Sequence, residues 1–266
     1  MTFLVDSHCH LDFPDLHGDL PDVVARASDA NIGTMVTICT RMDKFSAVTE
    51  IADQFEQIWC TIGVHPHEAK DYANLTTSEL LACSEHPKCI AIGECGLDYY
   101  YNRSPAEEQK AVFRTHIDAA RKSGLPLVVH TRDADDDMAT ILTEEMEKGA
   151  FTGVLHCFSS SQRLARAALE IGFYISMSGI VTFKNAADVQ KTAEFTPIER
   201  LLVETDAPFL APVPKRGKTN EPSYVAHTAA KVAEIKGISS ADIATATTEN
   251  FFRLFSKAEK AKAVSA

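Results

Sequence analysis

The chain has 266 residues, 45% hydrophobic and 24% charged, with 26 Lys and Arg against 37 Asp and Glu for a formal net charge of -11. That is a globular composition, not a disordered or collagen-like one. The acidic balance excludes a broad basic surface that wraps long nucleic acid, although bound divalent ions would supply positive charge locally.

The first residues, Met1 to Asp6, contain no basic segment followed by a long apolar core, so no secretory signal is expected. No apolar run approaches the roughly 20 residues that cross a bilayer. The seven cysteines, at 9, 39, 60, 83, 89, 95 and 157, are odd in number, scattered and without a CxxC pair. Reduced thiols in a cytoplasmic protein are the expectation.

In chain order, strand-like apolar runs fall at 3–8, 34–39, 58–64, 89–94, 126–130, 152–157, 173–178 and 201–205. They are apolar on both faces, as strands buried in a parallel sheet must be. Amphipathic segments near 20–30, 44–56, 77–86, 105–123, 135–148, 161–171 and 186–195 alternate with them, and two helices follow the last strand. In SPAEEQ, Ser104 is expected to cap a helix with Pro105 at its first position and Glu107 completing a capping box. Gly124 and Pro126 end that helix. Strict alternation implies a parallel sheet with right-handed crossovers, and eight units in this length match an α/β fold of the (β/α)8 TIM-barrel type. A doubly wound open sheet is the alternative, but no glycine-rich phosphate fingerprint follows the first strand. One catalytic barrel over 1–256 and a polar tail over 257–266 are expected.

The strand ends carry the polar residues. The first strand ends in His8-Cys9-His10, the third in IGVHPH with His65 and His67, and the fourth in IGECGLDYY with Glu94. The fifth ends in LVVHTRD with His130, the sixth in GVLHCFS with His156, and the eighth in LLVETDAPFL with Glu204 and Asp206. In such a barrel these ends meet at one rim, where active sites are built. Residues two apart on a strand face the same side, so His8 and His10 can grip one ion while Cys9 points into the layer beneath the helices. Cys95 and Cys157 repeat that arrangement and are read as packing residues. His65 and His67 stand between the plain and the site readings: His65 continues its strand toward the mouth, whereas His67 could do no more than start the next turn. A lone strand-end histidine is more often a satisfied, partly buried residue than a ligand, and that reading holds for His17, His86, His116 and His227. Five strands each delivering such a group outweigh it. His8, His10, His130 and His156 with Glu94 and Asp206 suit divalent metals, and six ligands exceed one tetrahedral ion. Two ions sharing a carboxylate are the economical arrangement.

The strings DSHCHLD, GVHPH, IGECGLDYY, PLVVHTRDA, GVLHCFS, LLVETDAPFLAP and RGKTNEPSYV, in this order, resemble the TatD family of metal-dependent deoxyribonucleases within the amidohydrolase-like barrels. An HxH alone is common to many barrel hydrolases; the ordered set, spanning nearly the whole chain, is specific. The resemblance implies that His8, His10, Glu94 and Asp206 surround one ion, that Glu94 is shared, and that His130 and His156 complete the second. It points to exonucleolytic cleavage of DNA phosphodiester bonds at single-stranded or 3' ends by metal-activated water, with Mg, Mn or Zn as the ions.

The residues permit that chemistry. Asp206 could take the proton of the attacking water while Glu94 holds the ions. The loop 212–222, PVPKRGKTNEP, places Lys215, Arg216 and Lys218 after the eighth strand as candidate phosphate contacts, with Arg132 and His65 as further substrate-binding candidates. An ordinary solvated charge cluster is the plain alternative. Tyr99, Tyr100 and Tyr101 could stack on a base, or only pack. Ester or amide hydrolysis, for example of a D-aminoacyl-tRNA or a small amidohydrolase substrate, remains the competing activity, and a non-catalytic metal-binding scaffold a third. A monomer or weak oligomer without membrane contact is expected.

Overall fold

The computed structural model describes residues 3–258. Eight strands, β1 (Leu4–Cys9), β2 (Ile32–Thr37), β3 (Ile58–Ile62), β4 (Cys89–Asp98), β5 (Leu127–Arg132), β6 (Gly153–Leu155), β7 (Tyr174–Met177) and β8 (Leu201–Val203), lie side by side in chain order. Every neighbouring pair from β1 to β8 is parallel. The helices are α1 (Pro14–His17), α2 (Leu20–Asp29), α3 (Phe45–Gln54), α4 (Thr77–Ser84), α5 (Ala106–Ser123), α6 (Asp135–Lys148), α7 (Gln162–Glu170), α8 (Ala187–Phe195), α9 (Val225–Lys236) and α10 (Ser240–Leu254). The expected (β/α)8 barrel is the fold.

The seam between β8 and β1 is thinner than the other junctions. A single bridge pairs Cys9 with Ala207. The amide of Asp206 donates to His8 O at 2.9 Å, and that of His10 donates to Ala207 O at 2.8 Å. Ser7 Oγ adds a bond to Val203 O at 3.0 Å.

Two apolar layers fix which end of the barrel is open. Outside the sheet, Cys9, Met35, Cys60, Leu97 and Val129 pack against helical Val23, Val48, Phe113 and Ile117. Inside it, Val5, Val36, Ile90, Val128, Val154 and Leu202 meet Phe251, Leu254 and Phe255 of the C-terminal helical segment. α10 is tied to the strand starts: Thr248 Oγ1 donates to Phe3 O, and Asn250 Nδ2 to Leu201 O. It therefore plugs the N-terminal end, and Phe251 and Phe255, both fully buried, each contribute about 1.5–3 kcal/mol by leaving water. The opposite rim, at the C-terminal strand ends, stays open.

Several boundaries differ from expectation. α5 begins at Ala106, with Pro105 at its cap and no side-chain cap bond, so the Ser104–Glu107 capping box is not formed. Ser104 is instead buried, donating to His67 O and accepting from Lys70 N, because the loop before α5 has to pin the turn after β3. Gly124 does end that helix, in the left-handed conformation. The four-residue α1 was not expected. In the tail, Lys257 Nζ donates to Ser84 O and His86 O and Ala258 is buried, so those two residues are docked; 259–266 lie outside the described residues. No helix among the described residues is long and apolar enough to cross a membrane.

Candidate metal centre

Glu94 lies inside β4, buried, at the middle of the open rim. Its two oxygens face different partners. Oε2 lies 3.4 Å from His8 Nε2 and 3.9 Å from His10 Nε2. Oε1 lies 2.9 Å from His156 Nε2, 3.2 Å from His130 Nδ1 and 3.4 Å from His65 Nε2. Asp206 Oδ1 completes the first side, 3.6 Å from His8 Nε2 and 3.4 Å from His10 Nε2. Asp206 reaches that point because the chain leaves β8 in a left-handed conformation, φ 57°, which aspartate tolerates better than most residues.

The second nitrogen of each imidazole settles what the first can do. His130 directs Nε2 to Asp98 Oδ2 at 3.1 Å, and His156 directs Nδ1 to Glu204 Oε1 at 3.2 Å. Each carboxylate can accept a hydrogen bond from one ring nitrogen, and in the neutral ring the other nitrogen then turns its lone pair toward Glu94, the arrangement in which a carboxylate orients an imidazole for a metal. His65 is different. Its Nδ1 accepts the backbone amide of His67 at 3.1 Å, so in the neutral ring Nε2 carries the proton. His65 faces the cluster as a donor, not a lone pair.

Burial and charge pull the groups of this cluster in opposite directions. Burial pushes the Glu94 carboxyl upward, but His156 and His65 beside it hold it well below the usual carboxylate range. Asp206 is likewise held down against burial by the His10 hydrogen bond and the neighbouring imidazoles. Burial pushes His65 down to about 4 despite Glu94. The pocket thus keeps ionised carboxylates in the protein interior, where uncompensated charge is costly. Both nitrogens of His8 and Glu94 Oε2 are buried without a hydrogen-bond partner. His8/Glu94/His156 and His8/His10/Asp206 each bring three ligand atoms within 4.8 Å of one another. Imidazole lone pairs and carboxylate oxygens facing one another unpaired are a donor set that fits divalent cations.

The sequence profile of the family described as TatD related DNase matches residues 5–256. The chain belongs to that family. The TatD-family relatives include the protein named "Uncharacterized metal-dependent hydrolase YabD" of Bacillus subtilis, 41% identical over 252 residues, covering 95% of this chain and 98% of its own. The "3'-5' ssDNA/RNA exonuclease TatD" of Shigella flexneri is 33% identical over 244 residues, covering 89% of this chain and 93% of its own. Among solved structures, YJJV, a TatD homolog from Escherichia coli K12, superposes with a TM-score of 0.88 at 27% identity, covering 95% of this chain and 98% of that one. TatD-family membership makes this chain an enzyme of the hydrolase class.

Of the residues expected at the site, His8, His10, Glu94, His130, His156 and Asp206 converge as described, with His65 beside them. Arg132 lies two residues beyond His130, its guanidinium 3.9 Å from the centre of the Tyr100 ring and 4.8 Å from that of Tyr101. Tyr100 and Tyr101 are 57% and 50% exposed, whereas Tyr99 is half-buried and donates its hydroxyl to Asp137. Arg216 and Lys218 are exposed; Arg216 lies over Phe183 at 4.0 Å and neither contacts the cluster. Cys9 and Cys95 are buried packing residues, bonded to Val36 O and Val128 O. Cys157 departs from that pattern. β6 stops at Leu155, Cys157 turns at φ 43°, and its thiol reaches Ser178 Oγ.

The sequence reading missed two contacts within the cluster, that of Asp98 with His130 and that of Glu204 with His156. Both had a signal. Asp98 follows Glu94 by four on one strand, and Glu204 precedes Asp206 by two, so each sits on a face already known to look into the mouth. His67, left between turn and site, shares Asp98 with His130 through its Nε2 at 3.0 Å.

Proposed function

We propose that the chain is a two-metal phosphodiesterase that trims the ends of single-stranded DNA. The observation that carries this reading is the divided environment of Glu94, whose Oε2 faces the His8/His10/Asp206 group and whose Oε1 faces His130 and His156. His8, His10, Glu94 and Asp206 would hold one ion and Glu94, His130 and His156 the other, with Mg, Mn or Zn as candidates. When bound, such ions polarise phosphoryl oxygens and lower the pKa of water at their surface.

The chain's own groups do the rest. Asp206, 14% exposed at its side chain and held ionised, accepts the proton of the attacking water at the mouth of the barrel. The protonated Nε2 of His65 donates to a phosphoryl oxygen, where charge grows during displacement. Arg132, whose guanidinium lies over the Tyr100 ring, offers its fork to the adjacent phosphate. The exposed Arg216 and Lys218 lie on the loop that follows β8 and guide the strand farther out. The net charge of -11 confines affinity for a polyanion to these local contacts.

The test is a metal titration of the chelator-stripped protein against end-labelled single-stranded DNA, with product lengths resolved over time. Stepwise shortening that requires added metal and disappears in Glu94→Ala supports the reading. No phosphodiester cleavage, together with brisk turnover of aminoacyl or small carboxylic esters, replaces it with ester hydrolysis.

A further inference from the structure

We propose that the cleft beside the metal centre, between the loops that follow β4, β5 and β6, is a subsite for one terminal nucleoside, with Tyr100 as its stacking platform and Arg132 at its inner edge. The inference rests on the phosphodiesterase reading and goes beyond it by naming the residues that choose the substrate end.

The cleft is an open groove of about 1050 Å³, room for a nucleoside with its hydration. Its inner edge is Arg132, on the strand that supplies His130. Tyr100, which follows Asp98 by two, lies against that guanidinium and still leaves 57% of its surface open. A half-exposed ring with a cation on it, next to a phosphoryl-transfer centre, is what a base stacks on; such stacking is sequence-tolerant because every base has a π-face.

The outer wall decides how much of the strand enters. Asp133, Asp135, Asp136 and Asp188 line it. The helix starts there offer no phosphate cradle. Asp135 takes the Ser161 amide at 3.0 Å, and three aspartates occupy the first turn of α6, where the macrodipole favours them. Arg163 pairs with Asp136 and Lys191 with Asp188, but with Asp133, Asp135 and Asp137 the lining beyond Arg132 stays net acidic, disfavours a further phosphate and presents acceptors to hydroxyls and to the amino groups of a base. A nucleoside whose only phosphate lies at the metals is accommodated, whereas a strand continuing outward would carry its next phosphate into the acidic wall. The cleft therefore admits an end.

Three measurements on the metal-loaded, full-length protein test this. Tyr100→Ala should lower kcat/KM on a linear single strand at least fivefold, the lower end of what loss of a stacked base brings, and should lower hydrolysis of methyl 4-nitrophenyl phosphate, which has no nucleoside, by a clearly smaller factor. Tyr100→Trp should restore the strand activity. An equal loss on both substrates marks a structural role and overturns the inference. Second, a circular single strand should be cut at least tenfold more slowly than the linear one of the same sequence; equal rates remove the end-selecting wall. Third, binding of deoxyadenosine 5'-monophosphate, followed by calorimetry, should weaken at least fivefold in Tyr100→Ala. Equal binding by both proteins refutes the subsite whatever the enzyme hydrolyses. If neither the strand nor the small diester is cleaved, the phosphodiesterase reading fails on its own, and this binding measurement still decides the subsite.

Discussion

Gly96→Ala tests how tightly the metal centre depends on the backbone behind it. Gly96 sits on β4 two residues from Glu94, in register with His130 on β5, at φ +134°. A Cβ there would lie 2.0 Å from the carbonyl oxygen of His130. Ordinary contact begins near 3.4 Å, so the two strands must part by roughly 1.4 Å, and backbone, not a flexible side chain, has to yield. The φ alone costs an alanine about 1–3 kcal/mol. At roughly 2–4 °C per kcal/mol for a chain of this size, melting should fall by about 2–12 °C. The displacement also separates His130 from Glu94, and an error of about 1 Å in such a site costs on the order of 100-fold in rate. We expect kcat/KM at saturating metal to drop by that factor or more, with bound metal falling in parallel. Gly124→Ala is the control. It too has positive φ, +74°, at the end of α5, but nothing lies within 4 Å of its added methyl. It should lose about 1 kcal/mol of stability and keep full activity. Gly96→Ala with rate, metal content and melting temperature at wild-type levels would refute the reasoning.

Further outcomes follow from the same geometry. His65→Ala should lower turnover while leaving bound metal, counted by mass spectrometry, unchanged, whereas His130→Ala should lose metal; equal metal loss in both would make His65 a ligand. Asp98→Asn and Glu204→Gln should each weaken metal affinity about 10–100-fold in competition with a chromogenic chelator, because each removes the carboxylate that orients a ligand imidazole; unchanged affinity would reduce them to packing. His116 is buried in α5, donating from Nδ1 to Val112 O and accepting from Val64 N, and burial pushes its pKa down to about 4. The neutral ring is favoured in the folded state, so its contribution is complete above pH 6.5 and is lost as pH falls through 4. That amounts to roughly 3 kcal/mol across this window. Urea titrations should show His116→Gln with a correspondingly flatter pH dependence, and an identical slope would count against it.

The periodicity of the chain is enough for the barrel, because strands buried on both faces leave unmistakable apolar runs. It is enough for the convergence of His8, His10, Glu94, His130, His156 and Asp206, because topology alone gathers strand ends. It does not reach what depends on a neighbour's backbone. The proton on His65 is set by the His67 amide, and Asp206 is aimed by a left-handed turn that no apolar pattern marks. Ser104 illustrates the same limit. Its sequence context favours a helix cap, but its hydroxyl serves the turn holding His67, a contact 37 residues away along the chain.

The weak junction between the first and last strands has a mechanical meaning. His8 and His10 stand on one lip and Asp206 on the other, nearly two hundred positions apart along the chain. A cation gripped by all three is a rivet across the barrel's narrowest weld. Like a crosslink closing a very long loop, it would remove more freedom from the unfolded chain than from the folded one. Chelation should then loosen the cylinder along this line first, and faster amide exchange at positions 10 and 206 would be the first trace of a barrel beginning to unroll.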